Sequence, residues 1–212
     1  MSSGLTVPQP AQGFFVTGTD TGVGKTHVAC LLVELLKRQG SRVAVMKPVA
    51  AGVEADGLNE DVRKLMAVSN VQADLHDVNP YSFTPPIAPH IAAQHAGRQI
   101  DLDVIASAYT RLKHLSDVVV VEGAGGFLVP LCDGVNASAI PEKLGLPIVL
   151  VVGMRLGCLN HALLTSEAIA ARKLHLIGWI ANAIDPTMQS LDENIKTLES
   201  CINAPCLGVV TR

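Results

Sequence analysis

The chain lacks any C-x-x-C pair, and its five cysteines (Cys30, Cys132, Cys158, Cys201 and Cys206) are odd in number. Both facts argue against a disulfide framework and against a zinc site, and a reducing compartment is the natural home. The seven histidines show no H-x-x-x-H or other metal-ligand spacing, so each is expected to be structural or solvated. A dense positive stripe is missing too: 16 basic residues are scattered among 19 acidic ones, for a formal charge of −3. Nucleic acid is therefore not an expected partner, because tracking a phosphate backbone needs clustered cations. Long hydrophobic runs are also absent. The longest, LGLPIVLVVGM from Leu144 to Met154, falls far short of the roughly 20 residues needed to cross a bilayer and is expected to be a buried strand. The opening MSSGLTVPQPAQG is polar and loose, without the charged start, apolar middle and small-residue cleavage site of an export signal. No membrane partner and a cytoplasmic location are expected. Neither an internal repeat nor a low-complexity tract occurs.

What is present is apolar material arranged for an α/β fold. With 212 residues and 49% hydrophobic content the chain can bury a sizeable core, and its length suits one domain, 1–212, with 1–12 as a loose N-terminal segment. The runs FFVT (Phe14 to Thr17), VAVM (Val43 to Met46), VVVV (Val118 to Val121), IVLVV (Ile148 to Val152) and LIGWIA (Leu176 to Ala181) are continuous rather than alternating. Such runs suit strands covered on both faces. Helical patterns lie between them, over Thr26–Gln39, Asn59–Val68, Leu102–Leu115, Cys158–Lys173 and Asp192–Cys201. The first has an apolar face ending at Gly40. Alternation of this kind predicts a doubly wound, mostly parallel sheet with helices on both faces. The proline-rich stretch from Asn79 to His90 is expected to be a shaped loop.

Ligands of open parallel sheets sit beyond the carboxyl ends of the strands. There the chain places GTDTGVGKT (Gly18 to Thr26), Lys47, Glu122 in EGAGG, and Asn182. Two ammonium groups, a carboxylate and an amide at buried strand ends make sense if phosphate and a divalent cation are bound. The glycine-bearing turn, followed by a helix N-terminus, forms an anion-binding concavity; Lys25 adds a point charge and Thr26 offers a hydroxyl to Mg²⁺. Against the pattern G-x-x-x-x-G-K-[ST] the loop is a variant, with Thr19 where glycine would stand. Its strand before and helix after supply the context of a P-loop NTPase-like domain. Lys47 lies between a fully apolar strand and Pro48, which favours the crevice over the surface. Glu122 stands within reach of a metal held by the loop threonine. Asp61 alone would read as a first-turn acid answering the helix dipole.

GTDTGVGKT, KPVAAG (Lys47 to Gly52), NPYSF with PHIAA (Asn79 to Ala93), VEGAGGFLVPL (Val121 to Leu131) and VVGMRLGCLNHALLT (Val151 to Thr165) together resemble the dethiobiotin synthetase family, in order from about Phe14 to Gly208. The resemblance implies an ATP-dependent cyclo-ligase that uses Mg²⁺ to close a cyclic urea from 7,8-diaminononanoate and CO₂, as a homodimer. It implies a carbamate, then a mixed carbamic-phosphoric anhydride, then ring closure by the second amine. By position, Lys25 and Lys47 would be catalytic, neutralising charge on the transferring phosphoryl group, and Thr26, Asp61 and Glu122 would hold Mg²⁺. Gly22, Val23, Gly24, Lys25, Thr26 and His27 would wrap the phosphates. Glu122, Gly123, Ala124 and Gly125 would line the same nucleotide site, and Asn182 would meet the adenine. Thr21 and Ala51 would face the substrate. Leu156, Gly157, Cys158, Leu159 and Asn160 would receive a substrate carboxylate across the dimer interface, on the free N–H groups of a helix start. Cys158 itself has no anchored base beside it and is read as a packing residue.

Asp20 departs from related partitioning-type sheet ATPases, which carry a lysine there, so a switch ATPase is the alternative reading that it disfavours. Two roles stay open to it: orienting the ammonium groups of a diamine, or capping the loop by accepting backbone N–H groups. Ala51 stands where the family more often has a serine, a loss of about 1 kcal/mol if nothing replaces the hydrogen bond. The sequence ends at GVVTR (Gly208 to Arg212), where family members continue through a loop and helix that help enclose the base. Base selectivity is expected to depend on that part, and the phosphate machinery on the rest.

Overall fold

A computed structural model of the chain describes residues 5–7 and 12–211. In chain order the first half contains β1 (Gly13–Gly18), α1 (Lys25–Arg38), β2 (Val43–Met46), β3 (Val49–Ala51), α2 (Glu60–Val68), α3 (Leu75–Val78), β4 (Tyr81–Phe83), α4 (Pro89–His95) and α5 (Leu102–Leu115). The second half contains β5 (Val118–Glu122), β6 (Pro130–Cys132), β7 (Val135–Asn136), α6 (Ala139–Leu144), β8 (Ile148–Gly153), α7 (Cys158–Ala171), β9 (Leu176–Ala183), α8 (Leu191–Cys201) and β10 (Cys206–Thr211). The main sheet has six strands in the order β10-β9-β8-β1-β5-β2, and every neighbouring pair is parallel.

Every residue of β1, β2, β5 and β8 is buried, which is why these strands read as unbroken apolar runs rather than as alternation. Side chains of β8 divide by parity: Val149 and Val151 join the main core, whereas Leu150 and Val152 join a second core with Trp179, Ala162 of α7 and Leu198 of α8. That division is the signature of a sheet packed on both faces. Because β1 lies between β5 and β8, the connections diverge around it, and its carboxyl end opens onto the crevice of a doubly wound sheet.

Several expectations need correction. The stretch Asn79–His90 is not loop throughout: Tyr81–Phe83 form β4, which pairs in parallel with β3, and Pro89 opens α4. Pro89 at the first turn of α4 is a position where a missing N–H costs nothing. The sixth strand, β10, was not anticipated, since Cys206–Thr211 is short and interrupted by Gly208 at a register shift. Asn182 lies inside β9 rather than after it. Leu144 ends α6, so the apolar run is strand only over Ile148–Gly153. Within the N-terminal segment, the Thr6 amide donates to the Leu207 carbonyl at 2.7 Å and Val7 is buried; residues 1–4 and 8–11 lie outside the described residues. All five cysteines are free thiols. Among the described residues, no helix is long and apolar enough to cross a membrane.

Candidate functional site

The site is assembled at the carboxyl end of β1. Gly18 ends that strand, the Thr19 amide donates to Val151 of β8 at 3.1 Å, and the loop turns through Gly22 and Gly24, both in the left-handed region. Gly24 is the N-cap of α1 at φ 85°, and a side chain there would collide with the Asn182 amide. Asn182 is buried and donates from Nδ2 to the Val23 carbonyl at 2.8 Å, while its Oδ1 has no partner. The strand β9 thus braces the loop from below. Val23 is buried; Gly22 and His27 lie nearer solvent, His27 exposed on α1.

Lys25 is buried and donates from Nζ to the Asp20 carbonyl at 2.9 Å. Burial pushes its ammonium down to about 8, with Glu122 opposing the shift and Lys47 adding to it. Thr26 donates from Oγ1 to Glu122 Oε1 at 2.9 Å. Lys47, immediately beyond β2, places Nζ 2.6 Å from both Glu122 Oε1 and Asp61 Oδ2. Burial works against the charge on Lys47, but Glu122 and Asp61 outweigh it and hold the ammonium above its usual value. Burial would likewise raise the Asp61 carboxyl, yet Lys47, with help from the Thr26 hydroxyl, brings it below the usual carboxylate range. Glu122 is wholly buried and its second oxygen has no partner. Four side chains from four separate stretches of the chain therefore meet at one point, where a buried carboxylate is compensated and one acceptor is left over.

Asp61 owes its position to Asn59. That side chain caps α2 by accepting the Asp61 amide at 3.0 Å, a preferred N-cap arrangement, and its Nδ2 donates to the carbonyls of Ala51 and Gly52. Asn79 does similar work on the other side, donating to the Lys47 carbonyl at 2.6 Å from a buried position. Neither asparagine was picked out from sequence. The Asn-x-Asp spacing of an N-cap was the readable signal for Asn59, and Asn79 offered none beyond its place before Pro80.

Beside these groups lies a cleft of about 510 Å³, lined by Thr21, Lys47, Ala51, Asp61, Ala124 and Gly125 together with Asn59, Val129 and the turn Pro86–Pro89. Thr21 and Ala51 thus share a cavity with Lys47, Asp61, Ala124 and Gly125, and the proline-rich stretch supplies one wall. The Gly123 amide donates to the Val16 carbonyl of β1 at 3.0 Å, and farther on Gly126 lies against the backbone of Gly18, Thr19 and Asp20, which brings the segment after β5 alongside the glycine loop. Leu156–Asn160 does not line this cleft. Leu156 is 98% exposed, Cys158 is buried in the second core, and Leu159 packs against that core. Among the described residues, no group of three or more His, Cys, Asp and Glu side chains is gathered as a metal centre, so cation binding here would involve two carboxylates and a hydroxyl.

Asp20 does not point into the cleft. Its Oδ1 accepts the Thr21 amide at 2.7 Å and its Oδ2 accepts Nη2 of Arg155 at 2.6 Å. The bond from the Thr21 amide is the contact that the loop-capping role calls for.

Over residues 12–212 the chain matches a family described as an AAA domain. It is 53% identical to the ATP-dependent dethiobiotin synthetase BioD of Nitrosospira multiformis, over 94% of this chain and 88% of the relative. It is 52% identical to the ATP-dependent dethiobiotin synthetase BioD of Aromatoleum aromaticum, over 94% of this chain and 90% of that protein. Among solved structures it is similar to a ParA family ATPase from Chlorobium tepidum, with 14% identity and a TM-score of 0.56 over 96% of this chain and 85% of that one. The signal recognition particle 54 kDa protein of Aeropyrum pernix, solved with GDP, gives 15% identity and a TM-score of 0.56 over 98% of this chain, which spans 43% of that one. At such identities the structural likeness speaks for the fold alone.

Proposed function

The chain belongs to the ATP-dependent dethiobiotin synthetase family, and from that premise we propose that it closes a cyclic urea from 7,8-diaminononanoate and CO₂ with hydrolysis of ATP. One amine adds CO₂ to give a carbamate. A carbamate oxygen attacks the γ-phosphorus, ADP leaves, and a mixed carbamic-phosphoric anhydride forms. The second amine then attacks the carbamoyl carbon, closing the ring and expelling phosphate.

The observation that supports this reading best is the meeting of Lys47, Glu122, Asp61 and Thr26 beside the phosphate loop and at the mouth of the cleft. Gly22 to His27 wrap the phosphates with loop amides, and Lys25 exchanges the Asp20 carbonyl for phosphate oxygen. Lys47, held protonated by two carboxylates, is a poor base for a substrate amine. Its service is charge: it stabilises the phosphoryl group as negative charge spreads over the equatorial oxygens. The donor set fits Mg²⁺, since Thr26, Asp61 and Glu122 offer hard oxygen ligands and Glu122 has a buried acceptor without a partner. When bound there, Mg²⁺ would neutralise charge on the β- and γ-phosphates. Glu122 to Gly125 line the nucleotide, and Asn182 Oδ1 meets the base. Thr21 and Ala51 border the diamine in the cleft, whose volume suits a chain of that size. In a homodimer, Leu156–Asn160 of the partner subunit receives the substrate carboxylate at the start of α7, and the bare Leu156 is covered by the second copy.

The deciding experiment mixes the protein with ATP, Mg²⁺, bicarbonate and the diamine, and follows both phosphate and cyclic urea. Cyclic urea formed in step with phosphate is expected. ATP hydrolysis indifferent to the diamine would instead identify a switch ATPase.

A further inference from the structure

Asp20 places a negative charge inside a loop that has to hold a polyphosphate, and left alone it would repel that ligand. It is not alone. Arg155 Nη2 lies 2.6 Å from Asp20 Oδ2, while Oδ1 accepts the Thr21 amide and the backbone carbonyl accepts Lys25 Nζ at 2.9 Å. One residue therefore fixes a loop amide, holds the loop lysine, and is itself neutralised from outside the loop.

Arg155 is fixed at its own base. The Met154 amide donates to the Asn182 carbonyl at 2.8 Å, and the Arg155 carbonyl accepts the Cys158 amide at 3.0 Å. Its guanidinium thus extends from a point pinned both to β9 and to the start of α7. The two side chains are 42% and 46% exposed, a setting in which an ion pair adds little to fold stability. A contribution to the loop's geometry and charge is what remains for it.

We propose that Arg155 is a positioning residue for the phosphate loop, acting through Asp20: it cancels the loop's one negative charge and sets the carboxylate on the Thr21 amide, so that the loop backbone stays arranged for ATP. This rests on the nucleotide reading above.

The test measures ATP binding by calorimetry without diamine, alongside KM, kcat and thermal unfolding, for the wild type, Arg155→Ala, Arg155→Lys and the double variant Arg155→Ala/Asp20→Asn. Arg155→Ala is expected to weaken ATP binding and raise its KM by roughly tenfold, the scale of one charge-assisted contact. kcat should change far less, and the melting temperature should move by only about 1–4 °C. Arg155→Lys should recover part of the loss. Adding Asp20→Asn to Arg155→Ala should recover much of it, because the uncompensated carboxylate is gone. Wild-type ATP affinity in Arg155→Ala would overturn the proposal, as would a double variant weaker than the single one. A loss of affinity accompanied by a large fall in melting temperature would make the pair structural and overturn it too. Because ATP binding is read without diamine, failure of the wild type to form cyclic urea counts against ring closure alone and leaves the comparison of affinities intact.

Discussion

Replacing Lys47 by methionine keeps most of the unbranched stem and deletes the charge lying 2.6 Å from both Glu122 Oε1 and Asp61 Oδ2. Asp61 is partly solvated and can turn to water, but Glu122 is wholly buried and retains only the Thr26 hydroxyl. Stranding a buried carboxylate in this way costs about 3–5 kcal/mol. For a chain of this size each kcal/mol is worth about 2–4 °C, so Lys47→Met is expected to lower the nucleotide-free melting temperature by roughly 6–20 °C. Circular dichroism melts check the fall, and a second variant checks its cause. Lys47→Met/Glu122→Gln strands no charge, so it should regain most of the lost stability while remaining unable to turn over ATP and diamine. A Lys47→Met protein that melts with the wild type, or a double variant no more stable than the single, would refute the reasoning. The pH dependence carries a definite sign. The Lys47 ammonium sits above its usual value and the Asp61 carboxyl below its own. Their mutual stabilisation is therefore complete between the two ordinary pKa values, fading as acid protonates Asp61 and as strong base removes the Lys47 proton.

Other consequences can be measured separately. Burial holds Lys25 at about 8 in the nucleotide-free protein, so the unfolded chain binds that proton more tightly, and nucleotide-free stability should rise with pH from about 8 up to the ordinary lysine range. With Lys25 as the proposed phosphate ligand, ATP binding should take up a proton and weaken by as much as roughly tenfold per pH unit above that value; calorimetry in two buffers of different ionisation enthalpy reads the uptake, and none at pH near 9 would contradict it. Asn182 commits its amide nitrogen to the Val23 carbonyl and leaves Oδ1 as an acceptor. A triphosphate panel should then favour ATP and CTP, whose bases carry an amino donor at C6 or C4, over GTP and UTP, which carry a carbonyl oxygen at that place, and equal use of all four would exclude this orientation. Ala51→Ser adds a hydroxyl to the cleft wall and should lower KM for the diamine by up to roughly tenfold, the worth of about one hydrogen bond; an unchanged KM would show that the hydroxyl does not reach the substrate.

Much of this was legible in the chain because buried parallel strands announce themselves. Val43–Met46 and Leu102–Leu115 coincide with β2 and α5 as expected, and the other apolar runs differ from their strands only at the ends. The charged residues were legible for a related reason: a lysine or glutamate directly beyond an unbroken apolar strand has few places to go except the crevice. What stayed hidden depends on pairing across the sequence. β4 exists because β3 lies beside it, and β10 because β9 offers an open edge, so neither is carried by local propensity. The partner of Asp20 was invisible for the same reason, since Arg155 stands 135 residues away and meets it only because β1 and β8 are neighbours.

The Asn59 side chain joins two structures that a protein engineer would prefer to adjust independently. Its nitrogen grips the strand end bearing Ala51, and its oxygen seats the helix bearing Asp61. Reshaping the cleft to admit a longer or bulkier diamine would therefore drag the Asp61 carboxylate along with it. Variant libraries aimed at new substrates are better directed at the wall formed by Pro86 to Pro89, whose apolar side chains can be exchanged without removing a hydrogen bond.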